Sequence, residues 1–211
     1  MKAVSLFSGG LDSTLASLIA RQEGLDVDLL YIDYGQYQIK AEWSAAIKVA
    51  RNLDFCTPYR IDIPFFRNVG LMRGRSLALI GLATMFAFKR GLHRYSHIIM
   101  GTHQGDIAPD CKPGNFDIMA KGALEECTDS GLTLWLPIQK CNSKEIGLAL
   151  KEWDAPFDLM YSCYWDPPCG YKSTKDQYRC PGCLRRASAM MAAGHPIPDI
   201  ETEGDKYEPR R

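Results

Sequence analysis

Ser8-Gly9-Gly10-Leu11-Asp12-Ser13-Thr14 sets two glycines, three hydroxyls and a carboxylate within one turn of chain. That mixture suits a polyphosphate. Phe7 closes the apolar run Ala3-Val4-Ser5-Leu6-Phe7, a strand, and Leu15, Leu18 and Ile19 recur at helical spacing behind it. A strand, a glycine pair and a helix opening on Asp, Ser and Thr make a βα turn whose backbone N–H groups converge on one point. The helix start adds partial positive charge there. Gly9 and Gly10 can take positive φ, letting a ligand approach the backbone closely. Ser8, Ser13 and Thr14 offer hydroxyl donors, and Asp12 could face a magnesium ion on the phosphates. The plain alternative is a glycine turn with Asp12 as a helix cap, but the motif is dense for that. Neither G-x-x-x-x-G-K-[ST] nor G-x-G-x-x-G occurs.

Three further constellations carry chemistry. Asp33-Tyr34-Gly35-Gln36 offers a carboxylate for a ribose hydroxyl or an amine beside a glycine that permits close approach; a routine strand-to-helix turn is the alternative. Asp106, Pro109-Asp110-Cys111-Lys112 and Phe116 place acids, a cation and a ring in one segment, which suits a planar heterocycle with donor edges and an acidic group. A solvated loop is the alternative there, and Cys111 has no evident partnered histidine for nucleophilic work. Cys163-x5-Cys169-x10-Cys180-x2-Cys183 supplies four thiolates, enough for a closed tetrahedral zinc site of structural type. A redox pair at Cys180-Pro181-Gly182-Cys183 is the competing reading.

The elements that must position these residues alternate. Strands are expected at residues 3–7, 27–33, 59–63, 97–100 and 133–136. Helices are expected after the first loop, through Trp43 to about Leu53, over 76–89, over 116–126, and from the capping box Asn142-Ser143-Lys144-Glu145. Such alternation calls for an α/β fold, a parallel sheet covered on both faces, with ligands beyond the carboxyl ends of the strands. Ser8-Gly9-Gly10, Asp33-Tyr34-Gly35-Gln36, Gly101-Thr102-His103 and Asp106 all fall on that edge. Residues 195–211 read as a tail or an arm onto a partner subunit.

Lysine plus arginine and aspartate plus glutamate both number 25 in 211 residues, so no global basic field speaks for nucleic-acid binding. No signal-like segment or membrane-length apolar run occurs, and the cytoplasm is the expected compartment. There, eight clustered or scattered cysteines favour metal over disulfides.

The first loop resembles the pyrophosphate loop of the N-type ATP pyrophosphatases. With DYGQ after the second strand, PDC in the middle, and SCY, CG and CxxC-x-R near the end, the chain resembles the 7-cyano-7-deazaguanine synthase (QueC) family through about Arg186. The resemblance implies a Rossmann-like sheet of the adenine nucleotide alpha hydrolase type with a small C-terminal zinc-binding helical element. It implies an ATP-binding domain at 1–155, a zinc segment and helix at 156–193, and a tail at 194–211. The implied reaction converts 7-carboxy-7-deazaguanine, ATP and ammonia to the 7-cyano product in a homodimer using magnesium, with structural zinc on Cys163, Cys169, Cys180 and Cys183. Nucleotide would lie on Phe7, Ser8, Gly9, Gly10, Leu11, Asp12, Ser13, Thr14, Asp33, Gly35 and Gln36. Substrate would lie on Gly101, Asp106, Asp110 and Phe116, with Asp12, Ser13, Arg75 and Lys112 catalytic.

The chain departs from the family in several places. Tyr171 to Arg179 lengthens the zinc loop, Arg73-Gly74-Arg75-Ser76 replaces a P-G-R-N segment, and Tyr37-Gln38 follows DYGQ. Lys112 follows the PDC cysteine in place of arginine. These changes leave open an enzyme that stops at the amide or joins the deazapurine to a protein.

Overall fold

The computed structural model describes residues 1–63, 74–106, 120–122, 124, 131–164 and 180–196. Among the described residues, five strands form one parallel sheet in the order β3-β2-β1-β4-β5: β1 Lys2–Leu6, β2 Asp26–Asp33, β3 Tyr59–Asp62, β4 Tyr95–Ile99 and β5 Thr133–Trp135. The α-helices bounded within the described residues are α1 Leu11–Gln22, α2 Ile39–Asn52, α3 Arg75–Gly91, α4 Ser143–Glu152 and α5 Pro181–Ala193. The architecture is the expected Rossmann-like α/β fold. Of the helix expected over 116–126, all but residues 120–122 and 124 lie outside the described residues.

Side-chain alternation along the strands feeds two cores. Val27, Leu29 and Tyr31 of β2 join Ala3 and Ile99 under α1, α2, α4 and α5. Leu30 and Ile32 join Val4, Leu6 and Ile98 on the opposite face, under Ile80, Ala83 and Ala87 of α3. A buried parallel sheet of this kind needs apolar residues of both parities, which is why β2 reads as a nearly continuous apolar run.

β4 begins at Tyr95, two residues before the expected start. A register irregularity between Lys2 and Ala3 lets Tyr95 pair with Lys2, and the Tyr95 hydroxyl donates to Asp28 Oδ2 at 2.6 Å. α4 opens on the expected capping box: Asn142 Oδ1 accepts from the Lys144 and Glu145 amides, and Glu145 Oε2 accepts from the Asn142 amide. α5 crosses α4 so closely that a Cβ on Gly147 would run into the Ala189 carbonyl. No helix among the described residues is long and apolar enough to cross a membrane.

Candidate functional site

The carboxyl ends of β1, β2 and β4 open into one cavity, as a sheet of this topology requires. Phe7, Ser8, Asp12 and Ser13 line it from the first loop, Tyr34 and Gln36 from the end of β2, and Glu42 from α2. Arg75 and Leu79 line it from α3, Gly101, Thr102 and Asp106 from the segment after β4, and Tyr164 from the chain before α5. A smaller cavity shares Ser8, Asp12, Ser13, Glu42 and Tyr164 and adds Gly10, Leu11, Tyr161, Gly182 and Arg185.

The loop is built on Ser13. Its Oγ donates to the Gly10 carbonyl at 3.2 Å and accepts from the Ser8 amide at 3.3 Å. The first intrahelical bond is Thr14 N–H to the Gly10 carbonyl, so the amides before it lack intrahelical partners. Gly9 takes a positive φ of 73°, whereas Gly10 is extended, at φ −87° and ψ 172°. The glycines answer to packing against protein. A Cβ on Gly9 would strike the Ala45–Ala46 backbone of α2, and one on Gly10 would lie 3.0 Å from the Tyr161 carbonyl. Helix α2 and the segment before α5 therefore clamp the loop from two sides. Thr14 is wholly buried with its hydroxyl unpartnered among the described residues, and it lines neither cavity.

The DYGQ turn divides. Asp33 spends both carboxylate oxygens on protein, accepting from Arg60 at 2.6 Å and the Gly35 amide at 3.0 Å. Neither Asp33 nor Gly35 lines the cavity. Tyr34 and Gln36 do. Gln36 donates to the Tyr31 hydroxyl and to Glu42 Oε2, each at 2.9 Å, and the Tyr31 hydroxyl stands 3.3 Å from the same Glu42 oxygen. Arg75 donates to the Tyr34 hydroxyl at 3.1 Å, with its guanidinium over that ring.

Beyond β4, Asp106 is held by three contacts. Oδ2 accepts from the His103 amide at 3.0 Å, Oδ1 accepts from Arg185 at 3.0 Å, and His103 Nε2 stands 3.8 Å from Oδ1. That imidazole is buried, and its Nδ1 accepts from the Gly105 amide at 3.0 Å, so the neutral ring carries its proton on Nε2. Nε2 lies 3.9 Å from Asp12 Oδ2 and makes no hydrogen bond among the described residues. The Thr102 hydroxyl, also buried and on the cavity wall, is likewise unpartnered. An unsatisfied hydroxyl in a cavity wall is what a polar ligand would satisfy.

Burial raises the carboxyl pKa of both Asp12 and Glu42. His103 and Arg185 oppose the shift at Asp12, as do hydrogen bonds from Gln36 and Tyr31 at Glu42. Desolvation at the cavity pushes Tyr164 up to about 12, although Arg185 opposes it.

Cys163, Cys180 and Cys183 converge with their sulfurs all within 4.8 Å of one another. The Cys163–Cys180 separation is 3.9 Å, far beyond a disulfide. Thiolates on a tetrahedral zinc, each bonded at about 2.3 Å, stand about 3.8 Å apart. The donor set and spacing fit that ion. Hydrogen bonding with Cys163 and then Cys183 pulls the Cys180 thiol well below its ordinary range, against burial. Cys169, like Asp110, Lys112 and Phe116, lies outside the described residues.

A family model described as "Queuosine biosynthesis protein QueC" matches residues 2–73 and 69–194. The chain belongs to the QueC family. It is 28% identical to the 7-cyano-7-deazaguanine synthase of Methanospirillum hungatei over 94% of this chain and 99% of that one. It is 30% identical to the enzymes of that name from Solidesulfovibrio magneticus, over 92% of each chain, and from Leptospira interrogans, over 92% of this chain and 88% of that one.

Several residues of this QueC-family site escaped the sequence reading. Tyr164 and Arg185 stand inside the quoted SCY and CxxC-x-R motifs, where a role in the site could have been sought. Glu42 sits in an ordinary amphipathic helix and nothing local marks it, while His103 falls with Gly101 and Thr102 on the expected ligand edge but nothing local gives it a role.

Proposed function

We propose that this QueC-family chain is an ATP-dependent C–N ligase that makes 7-cyano-7-deazaguanine from 7-carboxy-7-deazaguanine and ammonia. The observation that carries the reading is the meeting of the Ser8–Thr14 loop with Arg75, Thr102 and Asp106 around one cavity at the strand ends. A carboxylate does not react with ammonia until one oxygen becomes a leaving group. Its oxygen attacks the α-phosphorus of ATP, and pyrophosphate departs into the loop, whose amides and hydroxyls stabilise the developing charge. Ammonia displaces AMP to give the primary amide. A second ATP activates the amide oxygen, and loss of AMP with two protons leaves the nitrile. Buried walls keep water from both adenylates.

Within this reading Asp12 would hold magnesium, whose charge neutralises the triphosphate and favours the ionised form of that carboxylate. Arg75 polarises the activated group, and Asp106, with Asp110, Lys112 and Phe116, faces the deazapurine. Cys169 completes the zinc set with Cys163, Cys180 and Cys183, closing a site that supports the fold at 156–193 against the nucleotide domain at 1–155. A cytoplasmic homodimer completes the proposal.

The test is a mass-spectrometric assay with carboxy-deazaguanine, ATP and ammonium. Nitrile with AMP and pyrophosphate supports the reading, and ADP overturns it. The altered segments around Tyr37-Gln38 and Arg73–Ser76 favour one second reading, an enzyme that ends at the amide or at a protein conjugate. A persistent amide would select it.

A further inference from the structure

Arg185 stands on α5 two residues beyond Cys183, yet its guanidinium reaches back to the first loop. It donates to Asp106 Oδ1 at 3.0 Å and to the Tyr164 hydroxyl, and its carbon lies 5.5 Å from the centre of the Tyr164 ring. It also lines the smaller cavity with Ser8, Gly10, Asp12 and Ser13. The reach is set by the knuckle. Cys180 caps α5 by accepting the Cys183 amide on its sulfur, and Gly182 comes so close to the Ser162 carbonyl that no Cβ fits. The Tyr161 amide donates to the Gly9 carbonyl at 3.3 Å, tying the same segment to the loop.

A helix start and its hydroxyls offer partial charges only, whereas departing pyrophosphate carries full ones. The first loop holds no cation, and the one on α1, Arg21, stands in the last turn and donates to the Leu53 carbonyl. Arg185, 15% exposed, brings a full charge to that cavity in a planar fork that matches phosphate oxygens. We propose that Arg185 binds the pyrophosphate group of ATP, with Asp106 and Tyr164 holding the guanidinium in place while no anion is bound. The proposal rests on the loop being the pyrophosphate cradle. It makes the cysteine knuckle a supplier of the site as well as a support for the fold.

Calorimetric titration of the full-length protein with inorganic pyrophosphate, ATP and AMP tests it. Arg185→Ala and Arg185→Gln should weaken pyrophosphate and ATP roughly 10- to 100-fold, the range for a lost charge-assisted hydrogen bond. AMP affinity should hold, and Arg185→Lys should recover part of the loss. Melting temperature and bound metal, measured on each variant, show whether the knuckle is intact; the Gln variant serves if the Ala variant is not. Asp106→Asn separates binding from tethering: it should keep or raise pyrophosphate affinity, because it releases the cation.

Unchanged pyrophosphate affinity in a folded Arg185→Gln protein overturns the proposal. So does an equal loss in Asp106→Asn, which would make the contact a tether. If the unmodified protein binds neither pyrophosphate nor ATP, the cradle assignment itself fails. If it binds both and only Ser13→Ala weakens them, the cradle stands and Arg185 has no part in it.

Discussion

Gly101 lies directly against the first turn of α1: a Cβ there would sit 2.5 Å from the Asp12 carbonyl oxygen and 2.8 Å from the Ser13 amide nitrogen. The end of β4 is thereby wedged under the loop that should hold the phosphates. Gly101→Ala must push one of the two away. Overpacking of this kind costs about 1–3 kcal/mol, and the displaced loop should lose ATP affinity at the same time. Urea denaturation and ATP titration check this together, and a variant matching the parent in both would refute the wedge.

Ser13→Ala removes the hydroxyl that ties the Ser8 amide to the Gly10 carbonyl. Stability should fall by only about 1 kcal/mol. AMP formation should fall by about 10²-fold, the scale for losing one preorganised donor. Single-turnover AMP release reads the second effect. Equal losses in ATP affinity and turnover would mean that Ser13 binds ground state and transition state alike.

Glu42 gives a pH signature. Burial raises its carboxyl above the ordinary value of 4.5, despite hydrogen bonds from Gln36 and Tyr31. Between the unfolded and the raised folded value the native state binds more protons than the unfolded chain, so stability falls as pH rises through that window. Glu42→Gln keeps an oxygen for Gln36 and Tyr31 but cannot ionise. The variant should be more stable than the parent above the window, with a shallower slope inside it; Asp12 has the same sign and retains its share. Urea midpoints across a pH series would show it, and parallel curves would rule it out.

Cys180→Ser removes one sulfur from the trio and the cap of α5. Bound zinc and thermal stability should drop together, whereas Cys56→Ser, at an exposed cysteine, should change neither. Elemental analysis with a melting curve decides. Full zinc in a stable Cys180→Ser protein would remove the metal assignment.

Periodicity and turn chemistry carried most of the fold. The apolar run of β2, the helical spacing behind Asp12 and the Asn142 capping box are local signals, and their elements formed where those signals lie. Strand starts were less legible, since Tyr95 enters β4 through a pairing with Lys2 that is far away in sequence.

The SGGLDST turn and the cysteine spacing were readable because each depends on residues close together in the chain, where local geometry dictates which types fit. The reason for the glycines was not: Gly9 is small for α2, Gly10 for Tyr161 and Gly101 for α1, three contacts made by distant segments. The division of DYGQ, with Asp33 turned to Arg60 and Gln36 toward Glu42, is equally a matter of neighbours across the sheet. The junction of Arg185 with Asp106 spans 79 positions. Spacing along a chain reports which groups can share a turn, while the docking of α5 over the first loop decides which charges share a cavity.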